Sequence, residues 1–303
     1  MEAGNRFFNK FRESYVDTLA NLYQYATSVY ANNWQSRFVG TDDGYTYKEF
    51  KRTTNGISKT MSCYGIGAGD GVAILSQNMP NWAVAFFAAT AFGRVSVPIL
   101  PDSSQNEVTN MLTHSETKVL FVSRKLYSKV TEECRQKLTL IFDIETLEII
   151  KRDPESFTCD GKVCQPNADD LAALIYTSGT TGNAKGVMLS HRNLCQNVKA
   201  AYYTAPFKKK KRWLSILPMA HTYEMAFSML YPIFVGCAVY YVPKAPTPSV
   251  LADALRRVKP TVVCSVPLIM EKIYKSSVRK TIDKSPTLSW LEKRCPTILY
   301  RLI

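Results

Sequence analysis

The chain has 303 residues, of which 46% are hydrophobic, and carries a formal net charge of +13. That length holds one large domain or two ordinary ones, with apolar content enough for a sizeable core. The apolar stretch from Met229 to Pro243 is broken by Pro232 and Gly236, which excludes a membrane span, and the first ten residues lack an apolar signal core. A cytoplasmic protein is expected.

The charge balance suits anionic partners such as nucleotides, acidic lipid surfaces or nucleic acid. The densest basic run is Lys208-Lys209-Lys210-Lys211-Arg212. A solvated loop is favoured there, with peripheral contact to an anionic membrane surface as the sharper alternative. Nucleic acid is set aside because no binding motif accompanies the charge. The eight cysteines contain no C-x-x-C pair, and His114, His191 and His221 stand far apart. No metal site is expected, and the cysteines read as reduced thiols, Cys159 and Cys164 included.

Residues 1–40 form an aromatic, amphipathic lead-in. Asp43-Gly44 is a turn, and a helix runs from about Tyr45 to Tyr64. Gly65, Gly67 and Gly69 form a turn ahead of a strand, Val72–Leu75. A dinucleotide fingerprint would follow its strand and space its third glycine differently. A helix apolar on nearly all sides follows Pro80, then a strand at Val95–Ile99. Ser103 or Ser104 caps the next helix. Val119–Val122 and Leu140–Phe142 are strands flanking a helix that ends at Lys137. Arg152–Asp170 is polar and is the linker candidate. Further strands are expected at Trp213–Leu217, Ala238–Val242 and Val262–Val266, and further helices up to Ala205, within Tyr223–Phe234, over Ser249–Val258 and from Pro267. Strands alternating with helices at these spacings predict an α/β fold with parallel pairing.

Between the apolar runs Leu171–Ile175 and Val187–Leu189 lies Tyr176-Thr177-Ser178-Gly179-Thr180-Thr181-Gly182-Asn183-Ala184-Lys185-Gly186. Glycines let a backbone approach a bulky anion and turn its N–H groups inward. The hydroxyls of Thr177, Ser178, Thr180 and Thr181 are phosphate donors, and Lys185 adds a mobile charge. The stretch reads as a phosphate cradle. It is not the common P-loop, because Ala184 precedes Lys185 and Gly186 follows it.

This segment resembles the phosphate-loop signature of the adenylate-forming superfamily, which includes acyl-CoA synthetases, luciferases and peptide-synthetase adenylation domains. Ser215 to Glu224 is similar to that family's second signature in its long-chain acyl-CoA synthetase form, and Val266 to Tyr274 looks like the same branch. Leu268 stands where a basic residue is usual. Gly44 to Phe50 and Gly93 to Pro98 resemble weaker signatures. The resemblance implies stacked, mostly parallel sheets with helices on their faces, forming an incomplete large amino-terminal domain. Its expected division is 1–168, a first α/β subdomain, and 169–303, the phosphate-loop subdomain, without a carboxyl-terminal lid domain.

The implied reaction joins a fatty acid to CoA. The carboxylate attacks the α-phosphate of ATP, and CoA then displaces AMP, with Mg2+ assisting. By the same resemblance Thr177, Ser178, Gly179, Thr180, Thr181, Gly182 and Lys185 hold the ATP phosphates, with Thr181 and Lys185 closest to catalysis. His221 and Glu224 lie on the substrate side. His221 is not assigned a base role, since a carboxylate is already ionised at neutral pH. Family members run well beyond this length, so a truncated and inactive chain is expected. An acyl-carrier-protein or aryl-CoA ligase, an inert nucleotide-binding half-domain and a basic membrane-surface protein are the alternatives.

Overall fold

A computed structural model describes residues 16–157, 164–177, 185–207, 211–243, 247–295 and 297. Among the described residues twelve strands build two sheets. The seven-stranded sheet contains β3 (Gly71–Leu75), β4 (Val95–Ile99), β5 (Val119–Val122), β6 (Leu140–Asp143), β7 (Ile149–Arg152), β8 (Leu171–Thr177) and β9 (Lys185–Ser190), in the order β7-β6-β5-β3-β4-β8-β9. Its five inner strands run parallel, and β7 and β9 close the edges antiparallel. The five-stranded sheet contains β1 (Trp34–Phe38), β2 (Gly44–Thr46), β10 (Arg212–Ser215), β11 (Ala238–Tyr241) and β12 (Val262–Val263), in the order β12-β10-β11-β1-β2. Here only β2 is antiparallel.

The inner strands β3 to β6 are buried along their whole length and mostly apolar, Ser96 and Asp143 excepted, as expected of parallel strands covered on both faces. Alternation sends Val72, Ile74, Val119 and Phe121 into a central core and Ala73, Leu75, Leu120 and Val122 into an outer one. The five-stranded sheet divides likewise. Val239 and Tyr241 join the central core, whereas Leu214 and Tyr240 pack with α9 (Pro248–Val258) on the far side. The central layer is filled by α1 (Leu19–Val29), α2 (Tyr47–Cys63), α3 (Pro80–Thr90), α6 (His191–Thr204) and α8 (Tyr231–Val235). Every residue of α3 except Asn81 is buried, so this helix has no solvent face to make polar. On the outer face of the seven-stranded sheet sit α4 (Gln105–His114) and α5 (Glu132–Lys137). The helix α7 (Thr222–Glu224) continues through a π-helical segment, Met225–Leu230, into α8.

The expected α/β architecture is present, with differences in detail. β1 lies inside the amphipathic lead-in and pairs between β11 and β2. Its buried pair is polar, Gln35 and Ser36, so no apolar alternation announced it. Gly44 stands opposite Arg37, where a Cβ would sit 2.1 Å from the Ser36 carbonyl oxygen. Gly236 ends α8 at φ +74°, and a Cβ there would lie 2.5 Å from the Tyr30 ring, so both positions require glycine. The helix expected up to Lys137 is split into a 3-10 turn, Arg124–Lys129, and α5. The strand expected over Val262–Val266 shortens to two residues. The sheets also interleave in sequence. β8 and β9 join strands from residues 71–152, and β1 and β2 join strands from residues 212–263, so a cut at residue 168 does not separate one sheet from the other.

Candidate functional site

β8 and β9 form an antiparallel pair in which Thr177 is registered against Lys185. Both residues are exposed. They stand side by side where the hairpin enters the expected phosphate loop, whose Ser178, Gly179, Thr180, Thr181 and Gly182 lie outside the described residues. β8 is parallel to β4, which is parallel to β3, so the chain leaves β8 at the carboxyl edge of the sheet, where α/β folds gather their ligand-binding loops.

The hairpin is anchored on both flanks. The Tyr176 hydroxyl lies 2.7 Å from His114 Nδ1 at the end of α4, with the two rings edge to face. A Cβ on Gly186 would come within 2.9 Å of Leu174 Cδ1, so the bare backbone there leaves room for the Leu174 side chain. After β9, Ser190 and Asn193 make a reciprocal capping box that starts α6. Arg192 grips Asp169 through two hydrogen bonds of 2.7 and 2.8 Å. His191 turns inward, is fully buried, and accepts a hydrogen bond from the Leu19 amide through Nδ1 at 3.2 Å. Burial pushes its pKa down to about 4, against the opposing pull of Asp170, so the ring is neutral at pH ~7.

The second predicted cluster follows β10. Ser215 ends the strand, Leu217 to Ala220 form a loop, and His221 precedes α7. His221 is exposed, and its amide donates to the Pro218 carbonyl at 3.0 Å. Glu224 is wholly buried beneath it. Its Oε1 accepts from the Ser215 hydroxyl at 2.6 Å and the Ile216 amide at 3.1 Å. Burial pushes this carboxyl up to about 7, and the donors around it only partly offset that. The structure therefore separates the two predicted substrate-side residues: His221 faces out, and Glu224 closes the loop from within.

Sequence patterning did not single out Asn78. It sits in the turn after β3. Its Nδ2 donates to Ser215 Oγ at 2.9 Å and to the Leu217 carbonyl at 2.6 Å, and its Oδ1 accepts from the Met219 amide at 2.8 Å. The available signal was its place, three residues beyond a buried parallel strand.

Among the described residues no three His, Cys, Asp or Glu side chains are grouped to hold a metal ion. They offer Mg2+ no protein cage, and no step is assigned to it. Among the described residues no disulfide links the cysteines, and Cys159 lies outside them. From the basic run, Lys208 to Lys210 also lie outside. Arg212 serves as a helix cap, donating to the Val258 carbonyl at 2.7 Å and the Lys259 carbonyl at 2.6 Å. No described helix is long and apolar enough to cross a membrane.

The AMP-binding enzyme family matches residues 25–293. The chain belongs to that family. Among curated relatives, the long-chain-fatty-acid–CoA ligase FadD15 of Mycobacterium tuberculosis is 33% identical over 70% of this chain and 37% of its own length. A chloroplastic long-chain-fatty-acid–[acyl-carrier-protein] ligase of Arabidopsis thaliana, AEE15, is 31% identical over 79% of this chain and 36% of its own. The chain thus spans well under half of each. The inhibitor-bound N-terminal domain of FACL13 from M. tuberculosis superimposes with a TM-score of 0.74 at 22% identity, over 86% of this chain and 65% of that domain. The AMP complex of O-succinylbenzoate CoA synthetase from Bacillus subtilis gives 0.71 at 18%, over 84% and 64%. These likenesses establish the fold of the large amino-terminal domain of adenylate-forming enzymes.

Proposed function

We propose that this AMP-binding family chain holds ATP by its phosphates and a long-chain fatty acid beside it, for activation to acyl-adenylate and transfer to CoA. The observation that carries the proposal is the hairpin that sets Thr177 against Lys185 at the carboxyl edge of the sheet, with Ser178 to Gly182 between them. Preorganised donors aimed at phosphate stabilise the charge that develops as pyrophosphate leaves. Lys185, Thr177 and Thr181 supply that stabilisation, and His221 borders the acyl side.

Long chains are proposed because Leu217 to Glu224 and Val266 to Tyr274 have the long-chain form, and the relatives named above act on long-chain fatty acids. CoA is taken as acceptor over carrier protein on the first of those grounds, and assays with both acceptors separate them. Turnover by these 303 residues alone is not proposed, because reacting groups must meet within ~3.5 Å and the motifs of this chain account only for the phosphate and acyl sides.

Nucleotide binding tests the assignment directly. ATP titrated into the chain by calorimetry is expected to bind, and Lys185→Ala to weaken it about tenfold, the scale of one charge-assisted hydrogen bond. Thr181→Val is expected to act in the same direction. Equal affinity in wild type and both variants, with circular dichroism unchanged, would refute the cradle.

A further inference from the structure

One carboxamide joins the two sheets at the place where both candidate loops emerge. Asn78 leaves the carboxyl end of β3, two strands from β8 in the same sheet, which at normal strand spacing is roughly 10 Å from the cradle's entry. Its three hydrogen bonds end on Ser215, the last residue of β10 in the other sheet, and on Leu217 and Met219 of the loop that follows it. The Ser215 hydroxyl that accepts from Asn78 donates onward to Glu224. The Pro218 carbonyl, between two tethered residues, receives the His221 amide. A single side chain thereby fixes the start, the middle and, through Ser215 and Glu224, the far end of the His221 loop.

We propose that Asn78 is a positioning residue, holding the His221 loop in register with the phosphate-loop hairpin so that an acyl carboxylate is set beside a bound nucleotide. This rests on the acyl-activation function proposed above. The assignment is chemically specific. A loop that must hold one ligand at a fixed offset from another gains from a tether that spans two sheets, because neither sheet alone sets the distance between them. A carboxamide suits the task, with N–H donors for a hydroxyl and a carbonyl and an acceptor for an amide. Aspartate keeps only the acceptor, and alanine keeps neither. A residue serving only as internal support would affect both ligands alike.

The test uses the chain as it stands, with palmitate and ATP as probes. Asn78→Ala is expected to weaken palmitate binding ~10-fold, the scale of hydrogen bonds lost without replacement, and to leave ATP affinity within ~2-fold. Amide hydrogen exchange is expected to quicken over residues 216–222 while the β3 and β8 amides stay protected. Asn78→Asp is expected to repeat the split in milder form, and it decides the matter if the alanine variant does not fold. Unchanged palmitate binding, or equal weakening of both ligands, overturns the inference while leaving the proposed function intact. A wild-type chain that binds ATP but no palmitate defeats the acyl function and this inference together, and that failure shows before any variant is made.

Discussion

Arg94→Met is expected to cost the fold about 5 kcal/mol, from several polar groups left unsatisfied in the core at ~1–3 kcal/mol each. Arg94 is 1% exposed and has no carboxylate partner among its hydrogen bonds. Its guanidinium instead donates to the Ile66 carbonyl from Nε and one terminal nitrogen, at 3.0 and 2.9 Å. It also reaches the Ser58 hydroxyl at 2.8 Å, the Ala88 carbonyl at 3.1 Å and the Ser62 hydroxyl at 2.7 Å. These acceptors lie on α2, on the turn after it and near the end of α3, so one side chain stitches three segments together. Burial lowers its pKa to about 10, still charged at neutral pH.

Methionine fills the space but satisfies none of those acceptors. Lysine keeps the charge without the planar fork, so Arg94→Lys is expected to lose about 3 kcal/mol. Urea unfolding followed by circular dichroism reads both. Losses under ~1 kcal/mol in both variants would show that the acceptors find other partners, which rules out the stitch.

Gly93 to Pro98 stood out in the sequence only as a degenerate family signature, and the structure supplies its physical content in the Arg94 network. Much of the fold was legible for a simple reason. Val72–Leu75, Val119–Val122 and Leu140–Phe142 are apolar because both faces of their sheet are covered, and α3 is apolar because it is enclosed between the two sheets. β1 was illegible because its two buried residues, Gln35 and Ser36, are polar. Its place in the sheet is set by partners some 200 residues away, such as Tyr240 opposite Arg37. β2 is three residues long and β7 is an exposed antiparallel edge, neither long enough to show a period.

The candidate site divides in the same way. The proposed phosphate loop stands out in the sequence because its order of hydroxyls, glycines and one lysine is chemically unusual. Asn78 was not, because one asparagine in a strand-end turn carries no pattern, and its three partners are about 140 residues downstream. His191 stood in the sequence as one of three histidines far apart. The partner of its buried ring is the Leu19 amide, 172 residues earlier.

Two buried groups next to the candidate loops should pull stability in opposite directions with pH. Glu224 rises from 4.5 to about 7 on folding. Between those values the folded chain holds a proton that the unfolded chain has released, so its contribution falls as pH rises through that window. His191 drops from 6.5 to about 4. Between those values the unfolded chain holds the extra proton, so its contribution rises with pH. The windows overlap from 4.5 to 6.5, and there the two slopes largely cancel. Each variant should therefore unmask the other group. Glu224→Gln keeps an acceptor for Ser215 and Ile216 and should leave a stability that climbs between pH ~4 and ~6.5, by up to about 3 kcal/mol. His191→Asn keeps an acceptor for the Leu19 amide and should leave a stability that declines between pH ~4.5 and ~7 by a similar amount. Unfolding free energies of the three proteins across pH ~4–8 give the differences directly, since all other titrating groups are shared. Parallel curves for wild type and Glu224→Gln would mean that the carboxyl titrates alike in both states, and its burial beneath the His221 loop would then carry no electrostatic cost.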